Sequence, residues 1–205
     1  MSPRLIAIAG ASLLTGIVAG LALISGAGPR LFGGANDMGG RVVGQALVGG
    51  PFSLIDQTGR RVTDKDFLGR PMLVFFGFTF CPDICPSGLQ VMAAALDQLG
   101  PKGDKIVPVF VTIDPERDTP EQLKSYLASF HPRLVGLSGT LAEVNDVAKK
   151  YRVYFKKVKD EKSSADYTMD HSTILYLMDA KGQYVAHFSH ATSADKLAEG
   201  LRKQL

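Results

Sequence analysis

At 205 residues, with 45% hydrophobic and 21% charged side chains, the chain has the composition of an ordinary globular protein: one domain plus accessory segments. The formal charge of +3 falls close to balance once Arg4 and Arg30 are set aside, leaving 21 basic side chains against 20 acidic ones. A domain so nearly neutral has no electrostatic footprint for nucleic acid, which excludes that class of partner.

Leu5 to Pro29 is a run of 25 residues without a charge. A spanning helix needs about 20 apolar residues, whereas the apolar core of a cleavable signal peptide runs to about 7–15. Residues 1–30 therefore read as an uncleaved transmembrane anchor. A signal peptide, with small residues from Ser25 to Gly28 near its end, is the alternative, and either one exports the rest of the chain. Gly33, Gly34, Gly39, Gly40 and Gly44 make residues 31–47 a flexible tether, and 48–205 form the globular domain. With no Arg- and Ser-rich transit peptide, the expected location is a bacterial cytoplasmic membrane with the domain in the periplasm.

Phe52 to Asp56 and Arg61 to Thr63 are expected to form a short hairpin over Gln57-Thr58-Gly59. Met72 to Phe78 is a continuous apolar run, the pattern of a strand buried on both faces. Cys85, Leu89, Met92, Leu96 and Leu99 recur along one helical face, and Gly100-Pro101 ends that helix. Ile106 to Ile113 is a second buried strand. Thr119-Pro120 opens another helix with a cap and a proline at its first position. Next come a helix over Leu141–Lys150, a strand near Arg152–Val158, a polar loop from Lys159 to Asp166 and a hairpin of Thr173–Met178 with Gln183–Phe188. Ser193 caps a terminal helix. This order suits an α/β domain with a central mixed sheet flanked by helices, and the thioredoxin fold matches best.

The two cysteines lie in Phe78-Thr79-Phe80-Cys81-Pro82-Asp83-Ile84-Cys85-Pro86, between a strand end and a helix start. Ligands and chemistry collect at the carboxyl ends of strands in such sheets. A disulfide between Cys81 and Cys85 would close almost no loop and so add little stability, which points to a chemical purpose. Pro86 at the first helical position would place Cys85 at the N-cap and Cys81 just before it. Both thiols would then meet the positive end of the helix dipole and have lowered pKa values. The C-x-x-x-C spacing permits a disulfide or a shared soft metal. An iron–sulfur cluster wants four cysteines, and structural zinc wants two further ligands. Cu(I), which accepts low coordination numbers, needs only two thiolates and one imidazole.

Of four histidines, His171 in Tyr167-Thr168-Met169-Asp170-His171-Ser172-Thr173 is the candidate third ligand. It precedes a predicted strand at the loop that faces the cysteine motif in a thioredoxin fold, with Ser172 where thioredoxins carry a cis-proline. Asp170 is a candidate to orient the imidazole as a carboxylate behind the ligand. Met169 could lend a thioether, but reads as packing. His131 reads as a helix-end residue, and His187 and His190 as residues at a strand end and in the loop after it.

Three separated motifs carry a resemblance: Cys81-Pro82-Asp83-Ile84-Cys85-Pro86, Val111-Thr112-Ile113-Asp114-Pro115-Glu116-Arg117-Asp118-Thr119-Pro120, and Asp170-His171-Ser172. From about Gly49 onward the chain resembles the Sco/SenC family. The resemblance implies a thioredoxin-like fold and a metallochaperone that binds copper, as Cu(I) and also as Cu(II), through Cys81, Cys85 and His171. It implies a role in assembling the dinuclear copper site of cytochrome c oxidase subunit II. A second periplasmic copper chaperone as donor, or a thioredoxin-like reductant, would be further partners. The 114–120 stretch matches too, and as a sequence it reads only as a turn with a helix cap.

Two other activities compete with copper delivery. Cys81 and Cys85 could act as a redox pair that reduces the cysteines of an acceptor's copper site, one attacking and the other resolving. The Phe78–Pro82 segment also echoes the peroxiredoxin cysteine loop, in which Cys81 would form a sulfenic acid.

Overall fold

The computed structural model describes residues 47–159 and 166–204. The anchor expected over 1–30 and nearly all of the tether expected over 31–47 lie outside the described residues. Among the described residues no helix is long and apolar enough to cross a membrane.

The strands at the centre are β3 (Met72–Gly77) and β4 (Val107–Thr112), each buried along its whole length. They pair in parallel from Met72↔Val107 to Gly77↔Thr112, and continuous apolar runs fit strands covered on both faces. β8 (Ile174–Met178) runs antiparallel to β3, and β9 (Tyr184–Ser189) antiparallel to β8. On the other side β5 (Val135–Ser138) runs parallel to β4, followed by β1 (Ser53–Asp56) and β2 (Arg61–Thr63). The sheet order is β2-β1-β5-β4-β3-β8-β9. This is the mixed, thioredoxin-like sheet that the order of elements predicts.

Helix α1 (Ile84–Leu99) buries Leu89, Met92, Leu96 and Leu99, the face read from the sequence, and packs against α4 (Ala194–Arg202). The Thr119 side chain accepts the N–H of Gln122 at the start of α2 (Pro120–Leu127). Ser193 does the same for Lys196 in α4, so both expected caps are present. Thr140 and Glu143 close a capping box on α3 (Leu141–Lys150).

Four expectations change. Strand β5 is absent from the sequence reading, because four residues containing Gly136 carry little strand signal. A Cβ at Gly136 would stand 2.6 Å from Leu127 Cδ1, so the glycine lets α2 lie on the sheet. The strand near Arg152–Val158 is β6 (Phe155–Lys159), and it pairs with β7 (Tyr167–His171), which the sequence reading also misses. These two form a separate two-stranded sheet, so His171 ends one strand rather than merely preceding another. His187 sits within β9, not at its end.

The fourth change concerns α1, whose N-cap is Asp83 with Cys85 two positions inside the helix. The first backbone N–H groups of a helix have no intrahelical partner, so Pro86 forfeits no helical hydrogen bond in the third position either.

Candidate metal centre

Parallel pairing brings the carboxyl ends of β3 and β4 to one edge of the sheet, and antiparallel β8 begins at that same edge. The cysteine segment leaves β3 there, and the residues just after His171 enter β8 there. This topology brings His171 against Cys85: the Cys85 Sγ lies 3.7 Å from His171 Nε2.

Each side chain is held differently. Cys85 is fully buried on the first turn of α1. Gly77, the last residue of β3, makes room for it, since a Cβ there would stand 2.8 Å from the Cys85 sulfur and 2.8 Å from the Phe110 ring. Cys81 is partly exposed in the loop, and its sulfur accepts the Cys85 N–H at 3.3 Å. That donor is one of the orphan N–H groups of the helix start, so Cys81 does what a capping side chain does.

The His171 ring packs edge-on against Phe78, with ring centroids 5.8 Å apart. Its Nδ1 lies 2.9 Å from the Ser172 carbonyl. A carbonyl can only accept, so Nδ1 carries the hydrogen and the neutral ring turns a bare Nε2 toward the cysteines. The Asp170 side chain is exposed. Met169 is buried in the core.

The two thiols are unlike, which corrects the expectation that both are acidified by the helix. The Cys81 thiol is lowered to about 4, chiefly by the hydrogen bond it receives from the Cys85 side chain. Burial opposes this, while the neighbouring His171 side chain and the N–H groups of Cys85 and Asp83 add to it. The same bond, then burial and the Cys81 charge, push the Cys85 thiol up. The pair thus shares one proton, which stays on Cys85.

A polar network that the sequence reading does not find supports the loop. Asp118 is fully buried. It accepts from Thr79 N at 3.0 Å, Thr79 Oγ1 at 2.6 Å and Thr112 Oγ1 at 2.6 Å. It therefore ties the loop before Cys81 to the end of β4. Burial raises its pKa against those hydrogen bonds. The 114–120 stretch consequently does more than turn and cap. Its one visible signal is an acidic residue set soon after a largely apolar strand, and sequence alone does not reveal that the residue is buried.

Among the described residues no three His, Cys, Asp or Glu side chains stand as a ready-made metal cage. The structure instead holds a close Cys85–His171 pair with the Cys81 thiolate beside it, a donor set of two sulfurs and one imidazole suited to a soft ion. His131 lies apart, 3.5 Å from Asp97. His190 is bonded to Thr173 and His187 to Tyr184.

Fold and site together define a thioredoxin-like protein with one acidic thiol, one buried thiol and an imidazole at the edge of its sheet. The SCO1/SenC family pattern matches residues 41–205, and the chain belongs to that family. It is 44% identical over 167 residues to Protein SCO1 homolog 1, mitochondrial, of Arabidopsis thaliana, covering 81% of this chain and 49% of that protein. The chain spans about half the length of curated relatives such as this one and the human SCO1 homolog. Among solved structures, Arabidopsis thaliana ScoI with copper bound is 45% identical, with a TM-score of 0.73 over 77% of this chain and 97% of that one. Bradyrhizobium japonicum ScoI with copper bound is 47% identical, with a TM-score of 0.70 over 77% and 99%.

Proposed function

We propose that Cys81, Cys85 and His171 bind one copper ion, taken up as Cu(I), and that the domain passes it to the dinuclear copper site of cytochrome c oxidase subunit II. The observation that carries the binding site is the 3.7 Å span from Cys85 Sγ to His171 Nε2. A sulfur and a nitrogen bonded to one ion at zinc-like lengths of about 2.3 and 2.0–2.1 Å lie about 3.5–3.8 Å apart, for angles between tetrahedral and trigonal. The bare Nε2 and the ionised Cys81 are already in the states a metal requires. Family membership and the copper-bound ScoI relatives favour copper over other soft ions, and the acceptor rests on the family resemblance. Cys81 is partly exposed beside Phe80, which is 55% exposed, so ligand exchange with an acceptor would begin there. The uncharged run from Leu5 to Pro29 supports a single-pass anchor holding the domain outside the cytoplasmic membrane.

The test is an anaerobic Cu(I) titration of the reduced full chain against a competing chelator, with X-ray absorption of the loaded protein. One copper with two sulfurs and one imidazole is expected, and His171→Ala should weaken binding by about tenfold or more. Unchanged affinity and stoichiometry in His171→Ala would remove the three-ligand site.

The unequal thiols also favour a second reading, a dithiol reductase for the acceptor's cysteines. The Cys81 thiolate would attack an acceptor disulfide and form a mixed disulfide, and the departing acceptor sulfur would take up a proton. Cys85 would then lose its proton and attack Cys81, breaking the mixed disulfide and leaving the acceptor reduced and Cys81–Cys85 oxidised. A thioredoxin-like reductant would restore the pair. This activity should be lost in Cys81→Ser and survive in His171→Ala, whereas the metal site needs both residues.

A further inference from the structure

The hairpin of β6 and β7 carries His171, yet among the described residues it shares no ladder of hydrogen bonds with the main sheet. At its carboxyl end β7 runs within three residues into β8, and Met169 is buried beneath it. Its amino end, at Tyr167, needs another anchor, and Arg117 provides one.

The Arg117 guanidinium lies over the Tyr167 ring at 3.8 Å from the centroid, with Phe80 at 4.8 Å and Phe78 at 5.9 Å. Its Nη1 donates to the Tyr167 carbonyl at 3.0 Å, and its Nε is paired with the Asp114 carboxylate. Asp114 in turn accepts the Tyr167 hydroxyl at 2.9 Å. Beyond Tyr167 the stack continues to Lys157 on β6, whose Nζ is 4.5 Å from that ring and 2.6 Å from Glu116 Oε2. The Arg117 side chain is only 18% exposed, and that of Asp114 1%. Phe80 adjoins Cys81, and Tyr167 lies four residues before His171. A single side chain thus touches the cysteine loop and the histidine hairpin at once.

We propose that Arg117 is a positioning residue that sets Cys81 and His171 at the spacing one metal ion needs, by clamping Phe80 and Tyr167 about its planar guanidinium. The proposal rests on the reading of Cys81, Cys85 and His171 as one metal site. Three properties of arginine are used together: a flat face that stacks on rings, a fork that reaches a carboxylate and a carbonyl at once, and a charge that persists when buried. Lysine supplies only the charge. Met169 and the link to β8 keep β7 docked without Arg117 and leave its amino end held by the Tyr167 hydroxyl on Asp114 and the exposed Lys157–Glu116 pair, neither of which reaches Phe80 or the cysteine loop.

The experiment uses the full chain with Arg117→Lys and, acting from the other side of the stack, Tyr167→Ala. In the metal-free reduced protein, amide hydrogen exchange over Tyr167–His171 should quicken by about tenfold in both variants, while the β3 amides exchange as before. On copper loading, Cu(I) affinity should fall by about tenfold or more, with the imidazole contribution to the X-ray absorption reduced and both sulfurs retained. Tyr167→Phe keeps the ring and loses only the hydroxyl, and should restore both readouts to within about threefold of the unaltered chain. Unchanged hairpin exchange in Arg117→Lys, or equal quickening of the β3 amides, would overturn the proposal. The first outcome would mean that charge alone suffices, the second that the loss is of the whole domain. If the unaltered chain itself binds copper without using His171, the metal reading falls, and this inference falls with it before any Arg117 variant is needed.

Discussion

Cys85 and His171 are 86 positions apart in the chain, and the sheet brings the sulfur of one to 3.7 Å from the Nε2 of the other. Helix α1 presents Cys85 at the carboxyl end of β3, and β7 presents His171 just before β8 pairs with that same strand. Their spacing therefore depends on how β3, β8 and the β6–β7 hairpin are packed, and on what occupies the space around the Cys85 sulfur.

Gly77 is the first point at which this packing is open to test. Alanine there places a Cβ against both the Cys85 sulfur and the Phe110 ring, both fully buried, so that one or both must shift within a packed core. Gly77→Ala should cost about 1–3 kcal/mol in a urea titration, as overpacking does. It should also lower Cu(I) affinity, because the sulfur is displaced. A variant with unaltered stability and affinity would show that the core has slack there.

The two thiols should differ in reactivity. Cys81, lowered to about 4, is ionised throughout the neutral range, whereas buried Cys85 keeps its proton. In the reduced protein iodoacetamide should modify Cys81 first, at a rate nearly flat between about pH 6 and 8, where an ordinary thiol gains about tenfold per unit. Peptide mapping after short exposures reads this directly. A tenfold rise per pH unit at Cys81 would contradict the assignment.

Asp118 predicts a pH-dependent stability difference. Its pKa is raised from 3.8 by burial, so the folded domain holds that proton more tightly than the unfolded chain. The associated stabilisation is complete below the unfolded value and is lost as the pH rises through the raised folded value. Asp118→Asn should destabilise the domain by about 1–3 kcal/mol near pH 4, because an amide cannot accept all three donors from Thr79 and Thr112. The deficit should narrow toward pH 8, where only the unaltered protein carries a buried charge. Urea titrations at both values measure it, and a deficit that widens with pH would count against the argument.

Met169 offers a control on the ligand set. It lies two residues from His171, but its side chain is in the core. Met169→Leu should leave copper stoichiometry and the sulfur count by X-ray absorption unchanged, at a stability cost below about 1.5 kcal/mol. Loss of a sulfur scatterer would make the thioether a ligand.

Much of the fold was legible because its signals are local. The apolar runs Met72–Phe78 and Ile106–Ile113 and the helical face from Cys85 to Leu99 record burial directly in residue type. Thr119-Pro120 and Ser193 record helix starts through the donors they satisfy. Strands β5 and β7 were not legible. Gly136 is a concession to α2, and Tyr167–His171 mixes polar and apolar residues because its pairing is to a hairpin at the edge of the core. The start of α1 was misplaced by two residues, since proline fits any of the first helical positions.

By itself the sequence determined the ingredients of the site: two cysteines between prolines at a strand–helix junction, a histidine before a strand, and the family to which those motifs belong. Tertiary structure decided how they differ. Only folding buries Cys85 under Gly77, leaves Cys81 to accept its N–H, turns the bare Nε2 of His171 inward and sets Asp118 and Arg117 around them. These are relations between residues distant in the chain, and pKa, tautomer and ligand spacing are properties of such relations rather than of any residue alone.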